Sequence, residues 1–333
     1  MMGAFVGALG RIVVWGLVAS FAALPAAAAD KVRLRLDWST IGYHSPFYLA
    51  AERGYYRDAG LEVDIQEGKG SGNTVQLVGN GADTFGYADA SVAAKSASQG
   101  VPIKVVMGII RKGPASIAFP LDGPIKKPAD LKGKTIISCP GHAALIFLPA
   151  YLKANGMAMS DVKVTTVDCG SLFPLLAQGK ADAATGFTPG SISNLARAGM
   201  TKVGHLDYAQ AGIVLPSHGI VASTKTIEGR PDLVRRFVAA TAKGWQEALK
   251  DSDAAIKATV KARPLIAGSE AIFKTELIGY GEYINTPGTA GKPFGWQSAD
   301  EWKAAEKLMV EYMDMKPAAS TDAYFTNAFV GAN

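Results

Sequence analysis

The stretch VRLRLDWSTIGYHSPFYLAAERGYYRDAGLEVDI, Val32–Ile65, decides how the rest of the chain is read. Val32, Leu34 and Leu36 alternate with Arg33 and Arg35, the period of a strand with one buried face. The run breaks at Asp37-Trp38, and the next residues, with Gly42, Tyr43, His44 and Pro46, are too irregular for a strand. Phe47 to Arg57 carries apolar residues at helical spacing, and Asp58-Ala59-Gly60 closes it with glycine where helices end. Leu61, Val63 and Ile65 alternate again as a second strand. A Trp, a Tyr and a His are therefore presented on the loop after a strand's carboxyl end. In open α/β sheets, ligands bind at that edge.

Outward from this unit, the chain has 333 residues, room for two domains of ordinary size. Hydrophobic content is 48% and charged content 19%, which excludes a disordered chain. The net charge of +5 is spread without a basic stripe, so nucleic acid is not an expected partner. Arg11 precedes an apolar run, Ile12–Leu24, and Ala27-Ala28-Ala29 precedes Asp30. This pattern is that of a secretion signal over residues 1–29, with a mature chain starting at Asp30 outside the cytoplasm. In that compartment Cys139 and Cys169 are either free buried thiols or a disulfide. Two cysteines are too few for a structural zinc site, and no metal is expected.

Further strand-helix units follow. The segment Gly68–Thr74 is read as a glycine-rich loop before a short helix, either a plain connection or a source of backbone N–H groups for an anion. Thr84–Tyr87 is a strand, Val92–Ser98 a helix, and Ile103–Ile110 a buried strand. After the polar segment Leu121–Lys134 the pattern restarts with strands at 135–138, 162–167, 181–187 and 201–205 and helices between them. Ile213–Ser223, broken by Pro216 and Gly219, reads as a return crossing, and Pro231 opens a long helix with Phe237, Val238 and Trp245 inward. The expected architecture is α/β and two-lobed: residues 30–118 and 217–333 form lobe I, residues 119–216 form lobe II, and two crossing segments form a hinge.

Leu36-Asp37-Trp38, His44, Phe47-Tyr48-Leu49-Ala50, Arg53-Gly54-Tyr55-Tyr56 and Gly60-Leu61 resemble the opening of ABC-transporter periplasmic solute-binding proteins. The resemblance is to the group that takes the thiamine pyrimidine precursor and, among its relatives, nitrate, sulfonates, taurine or riboflavin. It extends through Leu131-Lys132-Gly133-Lys134, Cys169-Gly170 and Gly179-Lys180-Ala181-Asp182-Ala183 to about Leu249. It implies a type II-like fold that encloses one ligand and docks on a membrane permease as a monomer. By position it puts Trp38, His44, Tyr87–Ser91 (with Asp89), Gly141–Ala143 (with His142) and Phe187-Thr188 around the cleft. Members of the pyrimidine group often carry a second-lobe Glu, and the matching stretch Thr185–Pro189 has no acid. Fungal pyrimidine synthases look similar too, but their cofactor-holding Lys and sacrificial His align with Ala88 and Val92. A receptor, without catalytic residues or cofactor, is the expectation.

For the individual candidates two roles stay open at this stage. Trp38 either stacks on a flat ligand or caps the core. His44 is a pocket residue or a hydrogen-bonded loop histidine, and Asp89 is a helix cap or an acid facing N–H groups of a ligand. His142, near Cys139, invites a Cys/His nucleophile, which needs a base and an orienting partner that the sequence does not supply. His218 serves the crossing segment or the cleft. Tyr280, Tyr283, Phe294, Trp296 and Trp302 are expected to be mainly core or surface cover.

Overall fold

A computed structural model describes residues 28–331 together with Met1 and Gly3, so most of the expected signal segment lies outside the described residues. The strands are β1 Asp30–Arg35, β2 Leu61–Gln66, β3 Phe85–Asp89, β4 Ile103–Gly108, β5 Ala115–Pro120, β6 Thr135–Ser138, β7 Lys163–Thr166, β8 Ala183–Phe187, β9 Val203–Asp207 and β10 His218–Ser223. The helices are α1 Ser45–Glu52, α2 Tyr55–Asp58, α3 Ser71–Gly79, α4 Ala90–Ser98, α5 Ala143–Ala154, α6 Leu172–Ala177, α7 Thr188–Arg197, α8 Thr224–Gly229, α9 Pro231–Lys250, α10 Ser252–Ala262, α11 Glu270–Gly281 and α12 Ala299–Met313. Among the described residues no helix is long and apolar enough to cross a membrane.

These elements form two five-stranded sheets, ordered β2-β1-β3-β10-β4 and β7-β6-β8-β5-β9. In each, four strands run in one direction and one antiparallel strand is inserted before the last. The inserted strands, β5 and β10, are the ones that follow the two passages of the chain between sheets. β5 was not expected as a strand, and it begins four residues before the expected division at 118/119. Its AlaSerIleAlaPhePro sequence is buried on both faces, so it shows no alternation to read.

The opening unit folds as its pattern dictates. Val32 and Leu34 are buried while Arg33 and Arg35 face outward, and Arg35 Nε meets Asp83 at 2.8 Å. The expected helix is split in two at Gly54, whose φ of +77° is the left-handed region that favours glycine. The segment Gly68–Thr74 is not a plain loop, because α3 starts inside it at Ser71. Phe237 stacks on Phe85 with ring centres 4.1 Å apart, and Trp245 is fully buried, so α9 seals one face of the first sheet. Helix α11 packs on α10 and the Gly42–His44 turn in lobe I and on α7 in lobe II, which places it across both lobes. Near the chain's end Thr326 N donates to Val105 O at 3.0 Å, covering the β4 edge.

Candidate binding site

Each lobe turns the same sheet edge toward the other. From lobe I come the carboxyl ends of β1 and β3 and, because β10 runs antiparallel with His218 opposite Asp89, the amino end of β10. From lobe II come the carboxyl ends of β6 and β8. Between them lies a narrow cavity of about 30 Å³. Its lobe I wall is Trp38, Ile41 and Tyr43, with Tyr280 from α11. Its lobe II wall is His142, Phe173, Phe187 and the Gly190–Ser191–Asn194 face of α7.

Asp37, the residue just past β1 and Leu36, organises the lobe I wall. Its carboxylate accepts from Tyr43 Oη at 2.7 Å and sits 2.9 Å from His44 Nε2 and 3.0 Å from His218 Nε2. Burial pushes this carboxyl up, but the pairings with His218 and His44 outweigh it and hold its pKa well below the ordinary carboxylate range. The cluster continues through Ser217 Oγ, 3.0 Å from His218 Nδ1, to Asp89 Oδ2 at 3.0 Å. Asp89 also caps α4, accepting from Ser91 N at 2.9 Å and Val92 N at 3.1 Å. Burial raises its pKa against these opposing contacts. Among the described residues no group of His, Cys, Asp and Glu is arranged to hold a metal ion.

The expected residues divide into four groups. Trp38, His142 and Phe187 line the cavity. Trp38 is 8% exposed and meets His142 edge-on at 5.6 Å, and Phe187 meets His218 edge-on at 5.1 Å, so aromatic rings of the two lobes touch across the gap. His44, Tyr87, Asp89 and His218 stand behind that wall as the buried layer that fixes it, rather than in it. Ser91 and Thr188 do not reach the cavity: Ser91 Oγ donates to Pro216 O at 2.6 Å and the Thr188 hydroxyl donates to Asp207. Gly141 is a contact between lobes. Its carbonyl accepts from Gly72 N at 3.3 Å, and a Cβ on Gly72 would come within 3.2 Å of Gly141 Cα. The two cysteines are joined, Cys139 at the end of β6 to Cys169 thirty residues on.

Three contributors escaped the sequence reading. Tyr280, expected mainly in the core, reaches the cavity because α11 crosses between lobes. Glu276, one turn before it, is buried and accepts from Gly42 N at 2.8 Å. Burial pushes its pKa up to about 8 against that hydrogen bond. Asp37 carried a readable signal, an acid directly after the first strand and seven residues before His44. Burial also lowers His142 to about 4, so its ring is neutral at physiological pH. Among the described residues the buried Tyr280 Oη, Ser191 Oγ and His142 Nδ1 have no hydrogen-bond partner, and all three side chains line the cavity.

Two α/β lobes closing on an aromatic cavity define the periplasmic binding-protein fold. The alkanesulfonate-binding protein SsuA from Xanthomonas axonopodis pv. citri, solved with bound MOPS, matches with a TM-score of 0.69 at 16% identity, covering 90% of this chain and 100% of that one. Residues 41–255 match the NMT1/THI5 like family, and the chain belongs to it. The riboflavin-binding protein RibY of Chloroflexus aurantiacus is 26% identical over 90% of this chain and 86% of its own. The formylaminopyrimidine-binding protein of Halalkalibacterium halodurans is 22% identical over 89% and 90%. A 4-amino-5-hydroxymethyl-2-methylpyrimidine phosphate synthase of Saccharomyces cerevisiae, THI13, is 27% identical over 48% of this chain and 46% of its own. The expected kinship with solute-binding proteins stands, and relatives with printed names include both binders and synthases.

Proposed function

We propose that the protein is the extracytoplasmic receptor of an ABC importer, secreted by residues 1–29, which encloses one small planar heterocycle and presents the closed form to a membrane permease. The observation that carries this reading is the lining of the cavity. Trp38, Tyr43, Tyr280, Phe173 and Phe187 surround it, no Lys or Arg is among its lining residues, and the charged Asp37 carboxylate stands at its wall. Aromatic faces favour a flat guest. A buried carboxylate without a cation in the inner lining works against a compact inorganic anion held there.

The glycine-rich segment gives such an anion little to hold. Gly68 N donates to Trp38 O at 3.0 Å, Gly70 N to Asp37 O at 2.6 Å and Asn73 N to Gly70 O at 3.1 Å, with Gly72 N engaged by Gly141. An enzyme of the synthase kind is disfavoured by Ala88 and Val92, apolar and buried where the resemblance calls for Lys and His. The relatives that bind riboflavin and a formylaminopyrimidine support a flat ligand for this chain too.

The test is a thermal-shift screen of pyrimidines, flavins, aromatic acids and sulfonates, followed by titration of wild type and Trp38→Ala. Losing the indole is expected to cost a flat ligand ~1–3 kcal/mol, by analogy with bases stacked on aromatic side chains. Stabilisation by sulfonates alone, or equal affinity for the variant, overturns the reading.

A further inference from the structure

We propose that the ligand carries an anionic tail and that Arg197 holds it in an outer chamber beyond Trp38. This inference rests on the receptor reading above. The chamber, about 280 Å³, is lined by Trp38 and Ser39 from lobe I and by Cys169, Phe173, Asn194 and Arg197 among others from lobe II. Trp38, Phe173 and Asn194 also line the inner cavity, so the two spaces share a wall.

Helix α7 sets the spacing. Ser191, Asn194 and Arg197 recur every three residues along it: Ser191 at the inner cavity, Asn194 at both, Arg197 at the outer chamber. Six residues of helix carry the backbone about 9 Å from Ser191 to Arg197. Asn194 is fixed on the way by its Nδ2 donating to Gly190 O at 2.8 Å.

Arg197 is the only charged residue lining the chamber. Among the described residues no carboxylate lies within ion-pair distance of it. Its exposed guanidinium rests over the Phe273 ring at 5.5 Å, and among the described residues its N–H groups donate to no protein acceptor. Its charge acts on Glu276, which is buried and accepts from Gly42 N at 2.8 Å. The disulfide pins the Cys169 wall to the end of β6, so the chamber has a rigid side. A planar guanidinium with free donors at the mouth of an aromatic slot suits a phosphate ester or carboxylate. The substrate class is thus a flat heterocycle with an anionic group on a short arm.

The experiment titrates the full chain with two pairs of probes, riboflavin and riboflavin 5′-phosphate, and 4-amino-5-hydroxymethyl-2-methylpyrimidine and its phosphate ester, in low salt and in 0.5 M NaCl. Wild type, Arg197→Gln and Arg197→Lys are compared. For at least one pair, the ester is expected to bind wild type about tenfold more tightly than the alcohol. Arg197→Gln removes that preference without touching the alcohol, Arg197→Lys restores part of it, and salt erodes it. An ester that binds wild type no better than its alcohol overturns the tail assignment and leaves the ring site standing, and so does an equal loss of both in Arg197→Gln. Failure of all four probes to bind overturns this inference together with the reading beneath it.

Discussion

Replacing Glu276 by Gln is expected to flatten the dependence of stability on pH. In the fold the carboxyl is sealed beneath Gly42 with a pKa pushed up to about 8, against 4.5 for the free side chain. Between those values the unfolded chain releases a proton that the folded chain keeps, so stability falls as pH rises through the window and the loss is complete above about 8. A separation of roughly 3.5 pH units at about 1.4 kcal/mol each caps the effect at about 5 kcal/mol. Glutamine keeps an acceptor for Gly42 N and has nothing to titrate. The neighbouring charges, Asp37 and Arg197, are present in both proteins, and Asp37 stays ionised because its pKa is held low. Urea unfolding of both proteins at pH 5, 6.5 and 8 measures the difference. At pH 5 the two should agree within about 1 kcal/mol, and at pH 8 the variant should lead by about 2–5 kcal/mol. A gap that stays constant or narrows as pH rises refutes the buried neutral carboxyl.

Asp37→Asn should destabilise the protein by about 3 kcal/mol, since it strands His44 and His218 without their buried carboxylate. Because the folded pKa of Asp37 is depressed, the wild type's advantage is present above about pH 4 and disappears as acid protonates it. A circular-dichroism acid titration in which the two curves stay parallel counts against this. Cys139→Ser with Cys169→Ser opens a loop of 30 residues and should cost about 3–4 kcal/mol on a chain-entropy account, read as a lower urea midpoint. An unchanged midpoint would show that the bridge does not constrain the unfolded chain.

Local periodicity made most of the fold legible. Val32, Leu34 and Leu36, and later Thr135–Ser138 and Ala143–Asn155, announced their elements because one face or one run of each meets the core. β5 stayed hidden because a strand buried on both faces has no alternation to read. At the site, Trp38, His142 and Phe187 were readable because each follows a strand in a parallel unit, where chain order alone fixes the edge it faces. Tyr280 and Glu276 were not, since nothing local in α11 says that it packs against α7 and the Gly42 turn from more than two hundred residues away. His44 and His218 were left between two roles, because a sequence does not disclose that both point at one carboxylate.

The position of β10 has a consequence for how the chain acquires its shape. The strand that fills the gap between β3 and β4 is separated from them by the entire second sheet, so synthesis delivers the inserted body, from Ala115 to Asp207, while its host still lacks an inner strand. Until Ser223 has emerged, β3 and β4 have no partner on the sides they will share with β10, and the host must wait open. A chain built in that order cannot complete its host sheet until the inserted body has been made.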